Sequence, residues 1–160
     1  MDLICYAISA SNIFSRYLNV EGIPQPCAGA MPSPLILVID DDKLFRWAAS
    51  KALERAGYRV HEAATGEDGL AAARDFHPEA VLLDIRLPDM DGFTVLEAIR
   101  QARPDLPVLM VTADPTPKTR RQALRLGANA YFEKPCEWAS LLAALSQALH
   151  PSSPPRHSGG

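Results

Sequence analysis

Side chains that could do chemistry follow short apolar runs at four places in the sequence. These positions are Asp40-Asp41-Asp42, Asp84, Thr112 and Lys134. Two carboxylates about 4 Å apart repel by up to about 4 kcal/mol at an effective dielectric of about 20, so clustered acids favour a bound cation. Oxygen ligands alone suit Mg²⁺, a hard ion that also pairs with phosphate oxygens. With a lysine and a hydroxyl beside it, such a site could hold a phosphoryl group and neutralise its transferring oxygens.

The acidic residues also have a purely structural interpretation. Aspartates 40 to 42 could cap a helix that follows them, because Asp is a favoured N-cap residue and acids suit the positive end of the helix dipole. We expect Asp42 to act only as a cap. Asp89 and Asp91, which follow Pro88, are predicted to be turn and cap residues.

The other polar candidates have alternatives of the same kind. Thr112 could be an ordinary strand-end hydroxyl, and Tyr131 an aromatic strand residue. Lys134 could be a solvated lysine, although its place before Pro135 at the end of an apolar run disfavours this. The basic residues after residue 118 predict either a solvated helix face or a docking site for a partner. They are Arg120, Arg121 and Arg125.

The elements that must position these side chains alternate along the chain. Continuous apolar runs and β-rich segments predict strands over 35–39, 58–63, 80–84, 107–111 and 130–133. Apolar residues at helical spacing predict helices over 45–56, 67–76, 92–102, 118–126 and 137–149. Gly57 and Gly127 are expected to end the first and fourth helices.

Five strand–helix units with short connections predict an α/β fold, an open parallel sheet covered by helices on both sides. In such sheets ligands bind beyond the carboxyl ends of the strands. Because Asp40, Asp84, Thr112 and Lys134 all stand at strand ends, we expect them to converge at one edge of the sheet.

Composition limits the class of protein. The chain has 160 residues, of which 48% are apolar and 22% charged, a size and balance that fit one globular domain. Its net charge of −3 argues against a general binder of nucleic acid or anionic membranes. Three scattered cysteines predict neither a disulfide framework nor a zinc cluster, which favours a cytoplasmic location. The sequence contains no apolar run of about 20 residues that would span a bilayer.

The two ends differ in composition from the centre. Residues 1–33 are expected to be a loosely ordered N-terminal extension, with Met31 as a possible natural start, and residues 151–160 a disordered tail. The predicted domain therefore covers residues 34–150.

Four segments of that domain, in order, resemble the signature segments of the receiver domain of two-component response regulators, in particular the stand-alone chemotaxis-regulator type. The resemblance implies a flavodoxin-like (βα)5 doubly wound parallel sheet with strand order 2-1-3-4-5. The segments are LILVIDDD (35–42), VLLDIRLPDMDG (81–92), VTA (111–113) and YFEKP (131–135).

The resemblance also implies roles for the residues at the strand ends. Asp84 would be the phosphoacceptor, and Lys134 would pair with the phosphoryl oxygens. Thr112 would move to hydrogen-bond the new phosphate, and Tyr131 would then turn inward. The implied cofactor is Mg²⁺, whose protein ligands would be Asp41 directly, Asp40 through water, Asp84 and the backbone carbonyl of Arg86.

The implied function is signalling rather than enzymatic turnover. A histidine kinase or a histidine phosphotransfer protein would donate the phosphoryl group, and a downstream protein would bind the face formed by residues 118–149. Direct DNA binding and membrane association are not expected. Two alternatives stay open: a receiver-like interaction module that works without phosphorylation, and a phosphohydrolase with an aspartyl nucleophile. Such a phosphohydrolase usually has an acid two residues after the nucleophile, where this chain has Arg86.

One segment departs from the family pattern. Residues 114–117 read Asp-Pro-Thr-Pro, a stiff entry to the fourth helix that should either reduce the shift on phosphorylation there or redirect it through Tyr131. We predict a small response of this segment. The resemblance places Arg86 and Asp114 beside the path of attacking water, and we hypothesise that they pair and shield the phosphorylated residue.

Overall fold

The computed structural model describes residues 33–150, and the extension and tail predicted for the chain ends lie outside this range apart from residue 33. Within it, strands and helices alternate along the whole length. The strands are β1 (Leu35–Ile39), β2 (Arg59–Ala63), β3 (Ala80–Leu83), β4 (Val108–Thr112) and β5 (Ala130–Glu133). The helices are α1 (Lys43–Arg55), α2 (Gly66–Asp75), α3 (Gly92–Ala102), α4 (Pro117–Arg125) and α5 (Trp138–Leu149).

The five strands form one parallel sheet in the order β2-β1-β3-β4-β5. This confirms the predicted doubly wound α/β fold and its strand order. The predicted bounds of the strands and helices differ from the observed bounds by at most two residues. The first helix begins at Lys43 because the Asp42 carboxylate accepts the backbone N–H groups of Leu44 and Phe45, which confirms Asp42 as a cap.

The hydrophobic core lies in two layers, one on each face of the sheet. Alternate residues of β1 divide between them: Leu37 and Ile39 face the layer that includes α2, α3 and α4, whereas Ile36 and Val38 face the layer that includes α1 and α5. The central strands are buried on both faces. Continuous apolar runs were therefore the correct signal for these strands.

The described helices include none that is both long and apolar enough to cross a lipid bilayer.

Candidate functional site

The carboxyl ends of β1 and β3 bring two aspartates side by side. Ile39 and Leu83 are partners in the parallel register, and the backbone N–H of Asp84 donates to the carbonyl of Ile39 at 2.9 Å. Asp40 and Asp84 follow these partners directly. The predicted convergence of the two residues therefore results from strand register rather than from a long loop.

Three carboxylates meet at this edge of the sheet, and we call Asp40, Asp41 and Asp84 the carboxylate cluster. One carboxylate oxygen from each lies within 4.8 Å of the others. Asp40 is 1% exposed and Asp84 is also buried, whereas Asp41 faces solvent. Oxygen donors with one ligand open to water fit a small hard cation such as Mg²⁺, which keeps part of its hydration shell.

Lys134 supplies positive charge to the two buried members of the cluster. Its ammonium lies 2.5 Å from Asp40 Oδ2 and 3.2 Å from Asp84 Oδ2, and its side chain is 12% exposed. The same ammonium stands 4.2 Å from the centroid of the Phe45 ring, on the first turn of α1. A cation over an aromatic face is stabilised by the ring quadrupole, so Phe45 helps to hold the amine at the site. The peptide bond between Lys134 and Pro135 is cis.

Backbone groups bind the remaining oxygens of the buried carboxylates. Asp40 Oδ1 accepts the N–H of Asp42 at 2.9 Å, and Asp84 Oδ1 accepts the N–H of Ile85 at 2.7 Å. Burial raises the pKa of the Asp40 carboxyl above its usual value, although hydrogen bonds from Lys134 and Asp42 act in the opposite direction. The electrostatic cost of the buried negative charge is therefore only partly offset, and an additional cation would relieve it.

Thr112 and Tyr131 lie on the two strands nearest Lys134. Thr112 is buried at the end of β4, and its hydroxyl oxygen accepts the N–H of Asp114 at 3.2 Å. The ring of Tyr131 is already buried in the layer that contains α2 to α4, and its hydroxyl lies 2.9 Å from Thr119 Oγ1. The movements of Thr112 and Tyr131 on phosphorylation remain predictions.

The β3–α3 loop, residues 85–91, crosses the sheet edge directly after Asp84. Two backbone contacts close the base of this loop. The N–H of Gly92 donates to the carbonyl of Ile85 at 2.7 Å, and Arg86 and Asp91 form an isolated antiparallel β-bridge. The guanidinium of Arg86 pairs with the carboxylate of Asp114 on the neighbouring loop, which confirms the predicted pairing. The metal-ligand role of the Arg86 carbonyl stays a prediction.

Two aspartates of the β3–α3 loop cap different helices. Asp91 caps α3 by accepting the N–H of Phe93 at 2.9 Å, as predicted. Asp89 caps α2 instead, by accepting the N–H groups of Gly66 and Glu67, both at 2.8 Å. The expectation of a local role for Asp89 was therefore incomplete, because its partners lie more than 20 residues earlier in the chain.

Two residues near the site were not assigned a role from sequence. Phe45 was predicted only as the first residue of the helix over 45–56, and its contact with Lys134 could not be read from helical periodicity. Gly92 was predicted only to begin a helix. A Cβ atom at that position would collide with the backbone carbonyl of Asp84, so glycine is required for this close approach.

Other aromatic and basic side chains pack against the core or face solvent. Trp138 is partly buried against the core layer of α1 and α5, and its ring packs on Phe45 with ring centroids 5.6 Å apart. His61 stacks on Phe76 at 4.3 Å. The basic side chains of α4 are exposed, which leaves both the solvated-face and the docking interpretations open.

Known proteins resemble this chain in sequence and in fold. Residues 36–146 match the family described as the response regulator receiver domain. The DNA-binding dual master transcriptional regulator RpaA of Synechocystis is 39% identical over 118 residues, which cover 72% of this chain and 49% of that protein. The chain thus spans about half the length of the curated relatives it matches.

Solved structures of response regulators also resemble this chain. The CheY-like response regulator receiver domain protein of Methanospirillum hungatei is 34% identical with a TM-score of 0.72, and the match covers 74% of this chain and 95% of that one. A response regulator of Burkholderia pseudomallei, solved with a phosphorylated aspartic acid, a calcium ion and citrate, is 32% identical with a TM-score of 0.67. That match covers 72% of this chain and 69% of the other. The chain therefore belongs to the family of response regulator receiver domains, which act in two-component signalling.

Proposed function

We propose that Asp84 accepts a phosphoryl group from a phosphohistidine of a histidine kinase or a histidine phosphotransfer protein. The observation that carries this proposal is the meeting of Asp40, Asp84 and Lys134 in one buried contact, with distances of 2.5 and 3.2 Å from the amine to the two carboxylates. A structural ion pair would need only one carboxylate. A second and a third acid beside it suit an additional cation and an anionic ligand.

The reaction follows from the groups present. A carboxylate oxygen of Asp84 attacks phosphorus, and the new O–P bond forms as the P–N bond breaks. The bonding electron pair leaves with the imidazole nitrogen, which takes up a proton. Lys134, freed from Asp84 as that carboxylate becomes an acyl phosphate, pairs with the phosphoryl oxygens, and the Thr112 hydroxyl donates to one of them.

The carboxylate cluster fits Mg²⁺, which Asp41 and Asp84 would bind directly and Asp40 through water, with the backbone carbonyl of Arg86 as the fourth protein group. The bound ion would neutralise charge on the transferring oxygens. The chain's own residues orient the acceptor: Ile85 N–H fixes one oxygen of Asp84, and strand register fixes its backbone.

The output is a change in partner binding. Phosphorylation adds about −1.5 to −2 charge and three acceptor oxygens, which is enough to reorganise a neighbouring loop. We propose that Thr112 and Tyr131 relay this change to the face formed by residues 118–149, where a downstream protein binds. A cytoplasmic location and the absence of direct DNA binding stay predictions.

We further propose that the domain catalyses only its own phosphorylation and dephosphorylation. A phosphohydrolase of this chemistry usually carries a carboxylic acid two residues after the nucleophile as general acid, and this chain has Arg86 at that position.

Incubation of the full chain with acetyl phosphate and Mg²⁺, followed by intact mass spectrometry, tests the proposal. One phosphoryl group should be added to the wild type and none to Asp84→Asn, whereas the exposed control Asp105→Asn should react like the wild type. Absence of any adduct in the wild type would instead support an interaction module that works without phosphorylation. Many turnovers of a phosphatase substrate would support a hydrolase.

A further inference from the structure

Asp89 joins two parts of the molecule that are far apart in sequence. Its two carboxylate oxygens each accept one backbone N–H at the start of α2, Oδ1 from Gly66 and Oδ2 from Glu67, both at 2.8 Å. Charge-assisted hydrogen bonds of this length are about twice as strong as neutral ones. The donors lower the pKa of the Asp89 carboxyl, so the carboxylate is charged at neutral pH.

A second contact reinforces the same junction. The side chain of Met90 packs against the backbone of Gly66 so closely that a Cβ atom at residue 66 would lie 2.5 Å from Met90 Cγ. Met90 also contacts the buried core on this side of the sheet. The tip of the β3–α3 loop is therefore held on α2 by one polar and one apolar contact in adjacent residues.

The base of the same loop is fixed separately. The N–H of Gly92 donates to the carbonyl of Ile85, and the backbones of Arg86 and Asp91 form the β-bridge. The loop thus has anchors at both ends, and the segment between Arg86 and Asp89 spans them. Removal of the tip anchor would leave this segment held at its base alone.

We propose that Asp89 is a positioning residue for the metal site, because its contact with α2 fixes the tip of the loop whose base carries the Arg86 carbonyl. This inference rests on the proposed function, in which that carbonyl is a magnesium ligand. Since coupling between two sites is reciprocal, bound Mg²⁺ should also strengthen the contact between Asp89 and the start of α2.

A purely local cap of α2 is the competing explanation, and the chain offers a matched control for it. Thr65 caps the same helix by accepting the N–H of Asp68 at 3.1 Å, but it makes no such bond to the β3–α3 loop. Loss of either residue weakens the start of α2, whereas only loss of Asp89 also removes the polar contact that holds the tip of the loop.

Titration calorimetry of the full chain with MgCl₂ separates the two explanations. Loss of an outer-shell positioning group costs about 10-fold to 100-fold in metal affinity, so Asp89→Ala should raise the Mg²⁺ dissociation constant at least about 10-fold, and Thr65→Ala less than about 2-fold. Asp89→Asn keeps one oxygen acceptor and should lie between the wild type and Asp89→Ala. It also serves as the test variant if Asp89→Ala does not fold.

Amide exchange measured by NMR adds a readout that a simple cap would not change. Mg²⁺ should slow exchange of the Gly66 and Glu67 amides in the wild type and in Thr65→Ala, but not in Asp89→Ala. Equal dissociation constants for the Asp89 and Thr65 variants, with normal binding by the wild type, would overturn this inference alone. No Mg²⁺ binding by the wild type would overturn both the inference and the metal site of the proposed function.

Discussion

The backbone carbonyl of Asp84 lies against the α-carbon of Gly92, in the space that a Cβ atom would occupy in any other residue. Gly92 is the first residue of α3, and its N–H donates to Ile85, the residue after Asp84. The start of α3 and the acceptor strand are therefore in direct backbone contact.

Gly92→Ala should destabilise the protein by about 1–3 kcal/mol, because the added methyl group must displace backbone rather than a side chain. Helix propensity alone predicts the opposite sign, a gain of about 1 kcal/mol for Ala over Gly. Urea unfolding followed by circular dichroism measures the difference, and acetyl phosphate labelling should show slower phosphorylation of Asp84.

Gly66→Ala is the matched control for this substitution, because Gly66 is likewise the first residue of a helix. Its Cβ atom would meet side-chain atoms of Met90 and Val95 rather than backbone, and side chains can shift at lower cost than backbone. A loss of stability equal to that of Gly92→Ala would show that the contact with the Asp84 carbonyl has no special effect.

Lys134→Met should separate metal binding from phosphoryl transfer. The substitution removes the cation that lies between two buried carboxylates, so Mg²⁺ should bind more tightly. The rate of phosphorylation by acetyl phosphate should nevertheless fall about 10²- to 10³-fold, because the transferred oxygens lose a preorganised donor. Titration calorimetry measures the Mg²⁺ affinity, and initial rates of labelling by acetyl phosphate measure the phosphorylation rate. Lys51→Met, an exposed lysine on α1, should change neither, and an unchanged phosphorylation rate in Lys134→Met would contradict the assigned role.

The contribution of Asp89 to stability should depend on pH. Its pKa in the folded state is lowered by the N–H groups of Gly66 and Glu67, so the unfolded chain takes up the proton first as the pH falls. The stabilisation is complete above the unfolded pKa of about 3.9 and is lost as the pH falls through the lower folded value. The difference in unfolding free energy between wild type and Asp89→Asn should therefore shrink below about pH 4.

Thr65→Ala is the control for this titration, because a hydroxyl does not ionise in the acid range and its effect on stability should not depend on pH. A wild-type to Asp89→Asn difference that stays constant from neutral pH to the acid limit of folding would contradict the assignment.

Arg86→Ala should shorten the lifetime of the phosphorylated form with little effect on stability. The Arg86 and Asp114 side chains are 74% and 53% exposed, and exposed pairs contribute at most about 1 kcal/mol. If the pair shields the phosphorylated residue from water, Asp114→Asn should speed dephosphorylation equally, and the double variant should add nothing further. Loss of label after removal of the phosphodonor measures the rate, and an unchanged rate in Arg86→Ala would end the hypothesis.

Residues 114–121 should show only a small change in amide exchange on phosphorylation. Pro117 occupies the first turn of α4, and Thr116 and Thr119 form a reciprocal capping box at its start. Both features restrict the backbone before any phosphate is present. Exchange measured by mass spectrometry with and without acetyl phosphate tests this expectation, which large deprotection of the segment would contradict.

Sequence patterns predicted the sheet and the members of the site because both depend on short-range rules. β3 and β4 have no polar face, so their apolar runs identified them as central strands. Parallel connections then required Asp40 and Asp84 to meet at the same edge.

The missed contacts depend on the shape of loops, which periodicity does not describe. Asp89 reaches α2 only because the β3–α3 loop folds back at its tip, and Phe45 meets Lys134 only because α1 and the end of β5 lie on the same side. The collision that excludes a side chain at Gly92 is likewise visible only once two backbones are placed side by side.

The ion pair between Asp40 and Lys134 joins residues 94 positions apart. During synthesis on a ribosome, both buried acids leave the exit tunnel well before the lysine that balances them. A nascent chain halted in that interval lacks both the counterion of the two acids and β5, so the buried contact can be completed only after the last strand has been made.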